Sequence, residues 1–258
     1  MASQFTRFKD LHHTSDLFIL PNVWDAKIAL SFQDEKFSAI ATSSSAVAGA
    51  LGFEDGEKMT FNDYLFVINR ILSVVNIPLT VDIEMGYGSS DEKVQENILT
   101  LAGMGVVGIN IEDSTINSSG RELKDATTFA KTVEHLKNRL VSENAELFIN
   151  VRCDTYILNV ANKQQETAER IKLYETAGAD GIFLPCISAE EDIAAAVAGT
   201  SLPLNVMCIP GLPDFDRLKA LGVKRISMGP FLFSKAYENV SQLSRAVTAA
   251  KSFLPLFS

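Results

Sequence analysis

The feature that most constrains this chain is a rhythm: eight short apolar runs, rich in β-branched residues, separated by stretches with helical spacing. The runs are Phe18–Asn22, Ala39–Ser43, Leu79–Glu84, Val107–Glu112, Leu147–Asp154, Gly181–Pro185, Leu204–Met207 and Arg225–Met228. Several are entered through a Gly- or Pro-containing turn, such as Asn76-Ile77-Pro78 or Ala177-Gly178-Ala179-Asp180. Between them, Asp91–Ala102, Ala126–Leu140, Gln164–Thr176, Glu190–Val197 and Asp214–Ala220 fit helices that return the chain to the next strand. Eight such units in 258 residues predict a (β/α)8 TIM barrel of the α/β class. A doubly wound open sheet ordinarily uses fewer strands, and no G-x-G-x-x-G follows the first run. No linker or low-complexity tract divides the chain, so residues 1–258 read as one domain.

Charge narrows the function. Lysine and arginine total 23 against 32 acidic residues, a net −9, which disfavours nucleic acid and anionic membrane surfaces as partners. No run of eighteen apolar residues occurs and the first residues lack a leader-like apolar stretch, so neither a membrane span nor a secretory signal is expected. Cys153, Cys186 and Cys208 are odd in number and dispersed, which predicts neither a disulfide framework nor a zinc site and fits a cytoplasmic protein.

Barrel enzymes of this kind place their chemistry at the C-terminal ends of the strands. Strand alternation puts Thr80, Asp82 and Glu84 on one face, Gly108, Asn110 and Glu112 on the next, and Asn150, Arg152 and Asp154 on a third. Val81, Ile83, Ile109, Ile111 and Val151 then point to the helices. So many inward polar groups are expensive without a use. Asp82, Glu84 and Glu112 offer hard oxygen ligands for Mg²⁺, which takes one or two carboxylates and keeps several waters. The alternative is an ion-pair network around Arg152 that closes the barrel top. Arg152 itself suits a substrate carboxylate or keto oxygen, through its planar fork.

Other candidates for substrate binding follow the strand ends. Ser43, Ser44 and Ser45 form a hydroxyl-rich turn that can cradle a carboxylate or cap the next helix. Gly86, in Asp82-Ile83-Glu84-Met85-Gly86-Tyr87-Gly88, allows close approach of backbone to a ligand. Trp24 either walls a pocket or starts a helix, and Asn205 points inward near the end of the seventh strand. His12, His13 and His135 read as solvated, and the cysteines as small buried hydrophobes.

The order of these motifs resembles the isocitrate lyase and phosphoenolpyruvate mutase superfamily over nearly the whole chain. The resemblance rests on Pro21-Asn-Val-Trp-Asp25, the serine turn with Leu51-Gly52 and Asp55, and Asp82 to Gly88. It continues through Gly108-Ile-Asn-Ile-Glu-Asp113, Asn150-Val-Arg-Cys-Asp154, Ala177-Gly-Ala-Asp-Gly181 and Pro203-Leu-Asn-Val-Met207. It implies a Mg²⁺-dependent barrel that stabilises the enolate of a small 2-oxo or 2-hydroxy acid. Asp82 would be the principal metal carboxylate, Glu84 and Glu112 would act through water, Arg152 would contact substrate, and Ser43–Ser45 would bind its carboxylate.

Two departures bear on the reaction. The family usually has Asp where Glu84 stands. The loop Asp113-Ser-Thr-Ile-Asn-Ser-Ser-Gly-Arg-Glu122 lacks the Cys and His that resemble the proton-donating loop of isocitrate lyases. It also lacks the lysine of the mutases, although Asn117 is present and Arg121 or Lys124 stands nearby. The expectation is a Mg²⁺-dependent lyase that cleaves a carbon–carbon bond, as in isocitrate cleavage or the decarboxylation or hydrolysis of an oxaloacetate-like acid. Phosphoenolpyruvate mutase or phosphonopyruvate hydrolase chemistry is the enzymatic alternative, and a non-catalytic 2-oxo acid binder the second. A homo-oligomer, dimer or tetramer, is expected from the resemblance and from apolar Val240, Leu243, Val247, Phe253, Leu254 and Phe257; a final helix packed on its own barrel explains these residues equally well.

Overall fold

All eight expected strands form, and they make one parallel ring. The computed structural model describes residues 2–257. Helix α1 (Gln4–Leu11) precedes β1 (Phe18–Leu20) and β2 (Asn22–Val23), which are one stave interrupted at Pro21. There follow α2 (Ala26–Asp34), β3 (Ile40–Thr42), α3 (Ser44–Leu51), α4 (Phe61–Leu72), β4 (Leu79–Asp82), α5 (Asp91–Gly103) and β5 (Gly108–Glu112). A hairpin, β6 (Ser114–Asn117) and β7 (Gly120–Leu123), leads into α6 (Ala126–Ser142) and β8 (Phe148–Arg152). The chain ends with α7 (Lys163–Thr176), β9 (Gly181–Leu184), α8 (Glu190–Ala198), β10 (Leu204–Met207), α9 (Phe215–Ala220), β11 (Arg225–Ser227) and α10 (Phe231–Ala250).

The sheet order is β1-β11-β10-β9-β8-β5-β4-β3-β2. Proline has no N–H for a ladder, yet the Pro21 carbonyl still accepts from Ala41 N at 2.9 Å. The stave therefore pairs with β11 below the proline and with β3 above it, which closes the ring. The expected alternation holds in the staves. Val81, Ile109, Ile111 and Val151 are buried with Ile68, Ile98, Val133 and Ile171 of the surrounding helices. Truncating any one of these isoleucines to alanine would cost roughly 2–5 kcal/mol, from lost transfer energy and the cavity left.

Three features depart from the sequence expectations. His12 is not solvated: α1 lies across the strand starts, burying Phe8 and His12 with Phe18 and Phe148. Its Nδ1 sits 2.9 Å from the Phe8 carbonyl and its ring stacks on Phe148 at 4.3 Å. Burial, with the nearby Arg225 charge, drives its pKa down to about 3. Secondly, the segment after β5 is a paired hairpin, not an open loop. Thirdly, α10 packs on its own barrel only through its first two turns, where Leu232, Phe233 and Ala236 are half-buried against the core; no residue of the helix is fully buried, and Tyr237, Val240, Leu243, Phe253, Leu254 and Phe257 are exposed. No helix among the described residues is long and apolar enough to cross a membrane.

Candidate active site

A cavity of about 170 Å³ opens where β3, β4, β5, β8 and β11 end. That is the volume of roughly six liquid waters, enough for a small organic acid. Its polar wall includes Ser44, Ser45, Asp55, Asp82, Asn110 and Arg152, and its apolar wall includes Ile157, Phe183, Pro185 and Met207. The serine turn caps the next helix and also binds a carboxylate of the protein itself. Ser43 caps α3, accepting from Ala46 N, while Ser44 Oγ donates to Asp82 Oδ2 at 2.8 Å and its backbone N–H lies 3.4 Å from the same oxygen. The Asp82 main chain is pinned in turn, its N–H donating to Thr42 Oγ1 and its carbonyl accepting from Tyr64 Oη. Burial raises the Asp82 pKa, Arg152 and Ser44 oppose that rise, and Asp55 adds to it.

Asp82, Glu84 and Glu112 do not come together as one ligand set. No group of three Asp, Glu, His or Cys side chains suited to a metal occurs among the described residues. Glu84 lies beyond the end of β4 at φ 50, where strand alternation no longer applies. Its Oε2 accepts from Glu57 N at 3.0 Å and its Oε1 from Tyr87 Oη at 2.9 Å. Glu57 returns the contact by accepting from Tyr87 N at 2.7 Å. This reciprocal clasp fastens the 54–58 loop to the 84–88 turn, and Asp55 on that loop lines the cavity. Burial, with the charges of Asp55 and Asp82, lifts the Glu84 pKa to about 8. Gly86 serves packing: at φ 110, a Cβ there would lie 2.6 Å from Val94 Cγ1 of α5.

Glu112 sits in the ion-pair network that was the alternative reading of Arg152. Arg152 Nη1 lies 2.8 Å from Glu112 Oε2, and its Nε donates to Asp154 Oδ1 at 2.6 Å. From the hairpin, Arg121 reaches back to Glu112 and to Ser114 Oγ, with Asp154 at 3.4 Å. Burial pushes the Glu112 pKa up, against the pull of Arg152 and Arg121. Burial also works against the Arg152 charge, but Glu112, Asp154 and Asp82 outweigh it and keep the guanidinium protonated. Arg152 is thus both a network member and a wall of the cavity. The remaining candidates stand back from it. Trp24 packs edge-on to Phe233 at 5.3 Å, and Asn205 lies beneath the wall, donating to Ser227 Oγ at 3.2 Å.

The family model for phosphoenolpyruvate phosphomutase matches residues 8–248. The chain belongs to this family. It lies within the phosphoenolpyruvate mutase and isocitrate lyase superfamily of lyases and mutases, whose solved members share its barrel. It is 34% identical over 93% of its length to an uncharacterized Mycobacterium tuberculosis protein, covering 88% of that chain. It is 30% identical to oxaloacetate decarboxylase 1 of Pseudomonas fluorescens, over 83% of this chain and 72% of that one. Among solved structures, phosphonopyruvate hydrolase in complex with oxalate and Mg²⁺ has a TM-score of 0.86 at 21% identity, covering 97% of this chain and 89% of that one.

The donor set of this family member fits Mg²⁺. Asp82 and Asp55 present two carboxylates to one cavity, and Oδ1 of Asp82 accepts no hydrogen bond from the described residues. One or two carboxylates completed by water and substrate oxygens is what this ion takes. Asp55, Asn22 and Ser227 were not singled out as site residues from the sequence. Asp55 and Asn22 each had a weak signal, since both belong to motifs that carry the family resemblance. The contacts of Asn22 had none: its Oδ1 accepts from Met228 and Gly229 N at 2.8 and 2.9 Å, 206 and 207 positions away.

Proposed function

We propose that this chain is a Mg²⁺-dependent lyase that breaks the carbon–carbon bond beside the enolate of a small 2-oxo acid, with decarboxylation of an oxaloacetate-like acid as its reaction. One observation carries the reading: the cavity wall holds carboxylates, hydroxyls, two amides and one guanidinium, but no Cys, His or Lys side chain. Such a wall lacks a ready protein nucleophile or proton donor, and it suits a reaction that needs chiefly an electron sink. Loss of CO₂ from a 3-oxo carboxylate is that reaction. The C3–C4 bond breaks, its electron pair passes into the enolate, and water supplies the proton that C3 then takes.

Each side chain has a task in this reading. Ser45, in the first turn of α3, offers its hydroxyl and N–H at the positive helix end to the C1 carboxylate, while Ser44 holds Asp82. Arg152, held protonated, lies where it can carry charge developing on the C2 oxygen. Asp82 and Asp55 would hold Mg²⁺, which as a Lewis acid polarises the 2-oxo group when bound. Glu84 and Glu112 act behind them, one securing the Asp55 loop and the other orienting Arg152. Ile157, Phe183 and Met207 exclude water around the departing CO₂. The unpaired cysteines fit a cytoplasmic enzyme, and the uncovered apolar side of α10 fits a homo-oligomer.

The test is product detection with oxaloacetate, isocitrate, methylisocitrate and phosphonopyruvate, each with Mg²⁺ and with EDTA. EDTA-sensitive pyruvate formation from oxaloacetate, above the metal-only background, is the expected result. Oxalate and acetate in its place would indicate hydrolysis. Phosphate or phosphoenolpyruvate from phosphonopyruvate would replace the proposal with phosphorus–carbon chemistry. Oxalate binding without turnover of any of the four would indicate a binder.

A further inference from the structure

Beneath the cavity lies a cation that the reaction scheme does not use. Arg225 opens β11, in register with Phe18 of β1 and Asn205 of β10, and its side chain enters the barrel over the Phe8 ring at 6.0 Å. It is only 1% exposed. Among the described residues its one side-chain hydrogen bond runs from Nη2 to Asn110 Oδ1 at 3.2 Å, and its Nε and Nη1 have no partner. It joins no ion pair among the described residues. Removing an ion from water costs several kcal/mol unless it is paired, and barrel interiors are ordinarily filled with branched apolar side chains. A leucine or methionine here would serve folding better.

What Arg225 does to its neighbour supplies a use. A guanidinium donates and never accepts, so the Asn110 atom it touches must be the carbonyl oxygen. Asn150 Nδ2 donates to the same Oδ1 at 2.8 Å. Two donors on one oxygen fix the amide in one of its two orientations. The Nδ2 group, which makes no hydrogen bond to the described residues, is then the part of Asn110 left for the cavity it lines. Without Arg225, Asn150 could accept as readily as donate, and the pair could turn over together. The cavity floor would then lose its fixed donor.

We propose that Asn110 is a ligand-contacting residue whose amide N–H groups meet an anionic oxygen of the bound acid, and that Arg225 is the positioning residue which holds that donor upward. This rests on the proposed function only for the anionic character of the ligand. Burial brings the Arg225 pKa down to about 9, with Asp82 opposing, so the guanidinium remains charged at neutral pH.

The experiment is a double-mutant cycle on oxalate binding in the presence of Mg²⁺, followed by calorimetry, with oxaloacetate turnover measured separately. Asn110→Ala should weaken oxalate binding by about 10- to 100-fold, the range for a hydrogen bond to a charged group. Arg225→Met should weaken it by a similar factor while its melting temperature without ligand stays level or rises. Arg225→Lys, a donor that keeps the charge, should recover part of the loss. In the Asn110→Ala background, Arg225→Met should cost little more, because its effect passes through the amide. Independent, multiplying losses in the double variant would overturn the assignment, as would wild-type affinity in Arg225→Met. Failure of Arg225→Met to fold shifts the same comparison to Arg225→Lys and Arg225→Gln, of which only the lysine variant should retain binding. A wild type that binds oxalate without turning over oxaloacetate overturns the proposed reaction and leaves this assignment standing; one that binds no oxalate overturns this assignment, and the turnover measurement decides the proposed reaction by itself.

Discussion

His12 provides a measurement of how α1 seals the barrel. Its imidazole is buried against Phe8, Phe18 and Phe148, and its pKa is pushed from 6.5 to about 3. Above pH 6.5 the ring is neutral in both the folded and unfolded chains and contributes no pH dependence. As pH falls through 6.5, the unfolded chain takes up a proton that the folded chain refuses, so stability is lost between about pH 6.5 and pH 3. At pH 5 the unfolded state gains RT ln(1 + 10^1.5), which is about 2 kcal/mol, and the full loss near pH 3 approaches about 5 kcal/mol. Carboxylates titrate over part of the same range, so the comparison is with His12→Phe, which keeps an aromatic ring and cannot ionise. Urea unfolding at pH 7.5, 6.0 and 5.0 should show the wild type losing about 2 kcal/mol more than the variant across that interval. Parallel curves, within about 0.5 kcal/mol at every pH, would refute both the buried neutral histidine and the docking of α1 that buries it.

The remaining predictions concern the site and the surface. Asp82→Ala should lower EDTA-sensitive turnover at least ~100-fold while the fold is retained, as read by circular dichroism and steady-state kinetics; full activity would remove Asp82 from the mechanism. Arg121→Ala leaves Glu112 with Arg152 as its one remaining ion-pair partner among the described residues, so the hairpin should loosen, raising KM and hastening proteolysis between Asn117 and Arg121, with a smaller change in kcat. An unchanged cleavage rate would show that the Arg121 contact does not hold the hairpin down. Paired Val240→Asp and Leu243→Asp changes on α10 should reduce the mass measured by light scattering to that of one chain, 28.2 kDa, whereas an unaltered assembly would place any interface elsewhere.

Strand alternation was a sound guide wherever the staves are regular. It placed Val81, Ile109 and Val151 against the helices, and it brought Asn110 and Asn150 to the interior, where they hydrogen-bond to each other. It failed at Glu84, because the chain leaves β4 after Asp82 and turns through a left-handed residue; beyond a strand end, a spacing of two no longer fixes a direction. For the serine turn, the capping reading holds at Ser43, while Ser44 is engaged by Asp82, a partner 38 positions away that no local pattern points to. Asp55 stands in no regular element, and its loop is tied down near the cavity by long-range contacts such as the Glu57–Glu84 clasp. Arg121 lies nine positions from Glu112, and only the pairing of β6 with β7 turns it back over that residue.

The ring of staves and the strand ends where the polar side chains collect were legible in the sequence, because alternation, β-branched runs and turn residues are local properties; the family was legible in the order of its motifs. The tertiary structure decided which carboxylates face the cavity, which are held by arginines, and which polar residues are sealed beneath it. Those outcomes depend on where an arriving partner satisfies a charge or a hydrogen bond. Arg225 and His12 read as ordinary polar residues until β11 and α1 bring them together in the lower half of the barrel. There, exclusion of water makes one histidine neutral and gives one arginine control over an amide.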